Sequence, residues 1–174
     1  MNLGKLFKSS KDFQLSKSTF VNLRWMALLG QFVTVNVVKL VFQFDFYFLV
    51  CNFIVGTGIL TNLFLQFKIK QSQLNNNLST IYLTYDIIQL GILIYLTGGA
   101  TNPFIFLLII PSVFSSIYLK LSSTINLVVI TIFIIIVLTF FHFDLPSPMH
   151  LHFHVPDYYL YAIPLAIIIG LIFL

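Results

Sequence analysis

Charge is what this sequence has least of: five Asp and Glu and nine Lys and Arg make up 8% of 174 residues. A soluble domain carries about 25% charged residues, so a water-facing globular surface is excluded. Cysteine is nearly absent too. A lone Cys51 excludes an intramolecular disulfide and any multi-cysteine metal or cluster site, and its place in an apolar run reads as a small buried hydrophobe. The net charge of +4 sits on a lipid-soluble chain, so the basic residues read as topology signals and no nucleic-acid partner is expected. What is abundant is apolar surface: 59% of the residues, with a mean hydropathy of +0.99.

The apolar residues fall into six runs, at about 20–42, 46–67, 78–97, 103–119, 122–141 and 158–174, after a basic tail at 1–19. A span of the bilayer core needs about 20 residues, so the expected fold is all-α, a polytopic membrane protein of six transmembrane helices. The first run lacks the short apolar core and small-residue cleavage site of a secretory signal. Lys5, Lys8, Lys11, Lys17, Arg24, Lys68, Lys70 and Lys120 fall on one side of this parse, leaving only Lys39 of the nine on the other with Asp45, Asp144, Asp157 and all four histidines. Lys and Arg collect in short cytoplasmic loops, so both termini are expected in the cytoplasm. The last run, about 25 Å long against a core of about 30 Å, stops on Leu174 without a polar flank, and continuation into a cytoplasmic region is expected.

Polar groups in hydrocarbon are costly and are candidates for function. Asp86 lies well inside the third run, and Tyr82, Asp86, Gln89 and Leu93 share one helical face by spacings of three and four. Arg24 and Gln31 share a face of the first helix, seven residues apart. Arg24, Gln31, Asp86 and Gln89 therefore form a candidate intramembrane polar network. Interhelical hydrogen-bond glue accounts for them, with signal transmission as the second reading and a proton or ion path as the third. Pro111 and Pro164 are expected to kink the fourth and sixth helices. In the outer segment 142–157, His150, His152 and His154 alternate and would face one way if extended, an arrangement suited to a divalent metal; without a second ordered element to fix the geometry, a solvated interfacial loop is the preferred reading and no metal is expected.

Between the third and fourth runs the chain reads Thr97-Gly98-Gly99-Ala100-Thr101-Asn102-Pro103-Phe104. The glycine pair ends one helix, Asn102 caps the next, and Pro103 suits a first helical position that needs no amide hydrogen. A tight helical hairpin accounts for all but Phe104. The free amide hydrogens and the Asn102 carboxamide can also donate to a carbonyl, and Phe104 offers a flat apolar face. A lipid-soluble quinone has both a carbonyl and a flat ring.

With Leu23-Arg24-Trp25, Gly30-Gln31, Tyr85-Asp86-Ile87-Ile88-Gln89-Leu90, Leu96-Thr97-Gly98-Gly99, Asn102-Pro103-Phe104 and Leu107-Leu108, the chain resembles the transmembrane sensory region of RegB/PrrB/ActS-type redox-responsive histidine kinases. The resemblance implies a homodimeric sensor in the bacterial inner membrane. It further implies that the loop senses ubiquinone and that a cytoplasmic kinase region phosphorylates a response regulator. Carried over residue by residue, the quinone-related positions are Gly98, Gly99, Asn102, Pro103 and Phe104. No kinase catalytic residue lies within these 174. A small transporter or channel, and a passive membrane anchor, are the alternative readings.

Overall fold

A computed structural model describes residues 15–146 and 156–174. It is helical, and among the described residues it contains no β-strand. The helices are α1 (Lys17–Leu40), α2 (Phe48–Lys68), α3 (Asn76–Tyr95), α4 (Ile109–Tyr118), α5 (Leu121–Phe140) and α6 (Asp157–Ile172), with 3-10 segments at Gly99–Thr101 and Pro103–Leu108. Four of them, α1, α2, α3 and α5, are long and apolar enough to cross a membrane; Pro103–Tyr118 and Tyr158–Ile172 are shorter apolar helices.

The distribution of polarity is that of a membrane protein. Large apolar side chains such as Met26, Leu49, Phe53, Phe67, Phe133 and Phe173 point outward, while Arg24, Asn62, Gln89, Asn102, Ser112 and Thr131 are buried. Without water to drive apolar surfaces together, helices associate through packing and interhelical hydrogen bonds. The Ser112 and Thr131 hydroxyls, 3.1 Å apart, join α4 to α5 in this way. At Gly58 of α2 an added Cβ would fall 2.5 Å from Leu28 Cδ2 and 2.7 Å from Gln89 Nε2, so α1 and α3 close on α2 only because no side chain is there. Gly56 and Gly170 face open space and have no such role.

α1 packs along α2, α2 leans on α3, and α5 packs against α3, α4 and α6. Polar ties hold one end of the bundle. Lys17 Nζ donates to Gln66 O (2.8 Å) and Ile69 O (2.6 Å) at the C-terminus of α2, which starts α1 three residues before its apolar run. Asn75 caps α3 by accepting from Leu78 N, and Asn76 reaches both Ser123 Oγ (2.7 Å) and Lys120 N (2.8 Å). The opposite end carries the Gly98–Phe104 hairpin and an aromatic cluster in which Phe143 meets Tyr47 and Tyr95 with ring centroids 5.0 and 5.4 Å apart.

Two expectations about prolines separate here. Pro164 lies inside α6. Pro111 lies in the first turn of α4, where the 3-10 segment of the Pro103–Tyr118 element gives way to α-helix. The 3-10 opening also lengthens this element, because at about 2.0 Å per residue against 1.5 Å it brings Pro103–Tyr118 to about 27 Å.

Candidate functional site: a polar-floored groove between α1, α3 and α4

Arg24 of α1 and Asp86 of α3 meet as an ion pair, with Nη2 2.7 Å from Oδ1 and Nε 3.0 Å from Oδ2. The two residues lie about 10 and 14 Å from the nearer ends of their helices at 1.5 Å per residue. A guanidinium presents a planar fork that matches a carboxylate edge, so this contact fixes the rotation of α1 against α3. Helix α2 completes the shell. Thr61 Oγ1 accepts from Nη2 at 3.0 Å, Asn62 Oδ1 accepts from Nη1 at 3.4 Å, and Asn62 Nδ2 donates to Val21 O. Arg24 also lies over the Tyr82 ring, 4.9 Å from its centroid, a cation–π contact that further offsets its lost hydration.

Gln31 and Gln89 form a second pair, Nε2 of Gln89 donating to Gln31 Oε1 (3.1 Å) and to Ile54 O (3.3 Å). The four network residues thus join two by two: Arg24 with Asp86, Gln31 with Gln89. Sequence reasoning passed over Thr61, Asn62 and the Tyr85–Thr57 hydrogen bond of 2.9 Å. Asn62 carried the same signal as Asp86, a strongly polar side chain in mid-run.

In the hairpin, Asn102 caps the Pro103–Leu108 segment as expected, its Oδ1 accepting from Phe104 N at 2.8 Å. Its carboxamide donors, however, are not free for a ligand. Nδ2 donates to Thr97 O (2.9 Å) and Thr97 Oγ1 (2.7 Å), and Thr97 passes the bond on to Leu93 O. Asn102 is a clamp across the turn. Gly98 and Gly99 have φ of +116° and +53°, the left-handed region where a Cβ is strained. A Cβ on Gly99 would overlap the His142 side chain, and one on Gly98 would fall 2.6 Å from Leu145 Cδ1. Segment 141–146, leaving α5, therefore lies directly on the glycine turn, held by Phe143 N donating to Tyr95 O at 3.0 Å. The turn also touches α6.

The four network residues and, from the hairpin, Thr97, Asn102, Pro103 and Phe104 line one cavity of about 930 Å³ between α1, α3 and the Pro103–Tyr118 element; Gly98 and Gly99 shape the turn but do not line it. Its walls are apolar, from Phe20, Ala27, Leu90 and Phe114 among others. Arg24, Asp86, Gln31 and Gln89 supply polar atoms, and Asn102, Pro103 and Phe104 stand toward one end. Phe104 is 42% exposed, so its ring face is open. Small-molecule sites are typically about 300–1,000 Å³, mostly apolar, with a few placed polar groups. Cys51 is fully buried on α2 and does not itself line this cavity. His150, His152 and His154 lie outside the described residues, and among the described residues no cluster of His, Cys, Asp or Glu suits a metal ion.

Apolar outside, polar at helix contacts and with four membrane-length helices, the chain is a helical membrane protein with a cavity between its helices. It is 31% identical over 157 residues to sensor histidine kinase RegB of Cereibacter sphaeroides. That match bears out the resemblance read in the sequence. It covers 90% of this chain and 34% of the relative, so the chain spans about a third of the length of the protein it matches. No protein-family model and no solved structure matches it.

Proposed function

We propose that the chain is the membrane sensory region of a redox-responsive sensor histidine kinase, and that its groove takes a membrane quinone such as ubiquinone. On this reading the six apolar helical elements cross the bacterial inner membrane with both termini in the cytoplasm. The basic residues at the Lys68, Lys70 and Lys120 end support that orientation. The protein works as a homodimer whose cytoplasmic kinase region phosphorylates a response regulator, as the resemblance to RegB implies.

The observation that carries the proposal is the groove itself: a mostly apolar cavity of about 930 Å³ into which Arg24, Gln31, Asp86 and Gln89 bring polar groups, with Phe104 partly exposed at its lining. A quinone oxygen only accepts hydrogen bonds, whereas a quinol hydroxyl also donates. The two redox forms therefore favour different arrangements of the same polar groups, and a tenfold preference amounts to about 1.4 kcal/mol of population shift. The contact of segment 141–146 with the glycine turn, and of the turn with α6, offers a route from the groove toward the end of the chain. A proton path draws less support, because Arg24 and Asp86 neutralise each other.

Because Asn102 clamps the hairpin, Phe104→Leu is the cleaner probe of the ligand. It keeps bulk and hydrophobicity and removes the aromatic face, and stacking is worth about 0.5–1.5 kcal/mol. Titration of ubiquinone against the purified chain in nanodiscs should show affinity weakened roughly three- to tenfold, with helicity and thermal stability unchanged. Equal affinity in wild type and variant would remove Phe104 from the site.

A further inference from the structure

The hydrogen bonds of the glutamine pair leave a specific remainder. Gln89 Nε2 uses its donors on Gln31 Oε1 and Ile54 O. Only an amide nitrogen can donate to Ile54 O, which settles which way the Gln89 carboxamide points. Gln31 Nε2 and Gln89 Oε1 are then left over, and among the described residues neither has a hydrogen-bond partner. Both side chains line the groove, between apolar neighbours such as Ala27, Val35, Leu90 and Leu93. Gln31 is half-buried and its Nε2 is not sealed inside protein, so this donor is open to an acceptor that enters the groove.

Resting on the quinone reading of this groove, we infer that the ligand's carbonyl oxygen is held by Gln31 and Gln89, not by the Asn102 carboxamide. Asn102 has both donors occupied by Thr97, whereas Gln31 keeps a free donor and Gln89 a free acceptor on two residues that are hydrogen-bonded to each other and line the groove. A quinone oxygen accepts from Gln31 Nε2. A quinol hydroxyl accepts from the same group and donates to Gln89 Oε1. The glutamine pair is thus the specificity element for an oxygen that alternates between carbonyl and hydroxyl, while Phe104 receives the apolar part of the molecule. Gln89 is six residues before Tyr95, the last residue of α3, so the ligand oxygen lies about 9 Å down that helix from the end that carries the hairpin.

The test compares ubiquinone with an analogue carrying the same tail on a ring without oxygens, both titrated in nanodiscs. Wild type should prefer the quinone by roughly tenfold, the value of a hydrogen bond of about 1.4 kcal/mol. Gln31→Met keeps side-chain length and should abolish that preference while leaving binding of the oxygen-free analogue unchanged; Phe104→Leu should weaken both ligands alike. Unchanged quinone preference in Gln31→Met, with Phe104→Leu still weakened, overturns the glutamine assignment and leaves the quinone reading standing. Absence of quinone binding in wild type overturns both. A photoreactive quinone with the label on its ring gives an answer that needs no variant: adducts in 27–35 or 86–93 support the assignment, and adducts confined to 102–107 contradict it.

Discussion

Asp86→Ala should destabilise the chain by about 3–5 kcal/mol, the usual cost of removing one partner from a buried ion pair. Arg24 is only 4% exposed and would keep Thr61 Oγ1 and the long Asn62 contact as its remaining hydrogen-bond acceptors. It must either draw in water or leave the bundle, and either event unlocks α1 from α3. Replacing both partners, Arg24→Met with Asp86→Leu, should recover most of the loss, because a dry apolar contact carries no stranded charge. Equilibrium unfolding in mixed detergent micelles reads both variants. An Asp86→Ala protein as stable as wild type would mean that the pair is hydrated and that the facing of these helices is wrong.

Gly99→Ala comes second in expected size. Two costs add: about 1–2 kcal/mol for a Cβ in the left-handed region, and displacement of His142, whose side chain occupies the space the methyl group would enter. The consequence is local. Segment 141–146 should lift off the glycine turn, with faster hydrogen exchange at the Phe143 amide, which is bonded to Tyr95 O. His142→Gly in the same chain should relieve the overlap but not the backbone strain, so the double variant should regain part of the stability lost. Exchange at Phe143 unaltered by Gly99→Ala would show that this segment does not rest on the turn.

Much of this was legible because lipid makes the rules severe. Charged groups in hydrocarbon are too costly to be accidental, so Asp86 and Arg24 stood out, and helical periodicity was enough to put Gln89 on the Asp86 face and Gln31 on the Arg24 face. Capping chemistry is local, so Asn102 and Pro103 were read correctly as the start of a helix. The second function of Asn102 was not, because its bonds to Thr97 depend on how tightly the turn closes. The 3-10 opening before Pro111 was not foreseen for a related reason: nothing in composition distinguishes it from an α-helical one. The start of α1 at Lys17 follows from a lysine side chain reaching carbonyls of another helix, which hydropathy cannot register. The seating of His142 and Leu145 on the glycines joins residues more than forty positions apart, and only the folded chain brings them together.

A quinone in the groove should shift the arrangement of the helices around it, α1 and α4 among them, and spin labels across the groove test this most directly. Leu29 and Val113 are exposed positions on those helices that do not line the cavity. Each is replaced by cysteine, with the buried Cys51 changed to alanine. The distance distribution between them, measured in nanodiscs by pulsed electron resonance, should shift on adding oxidised ubiquinone and shift differently with the quinol. Identical distributions without ligand, with quinone and with quinol would contradict the account.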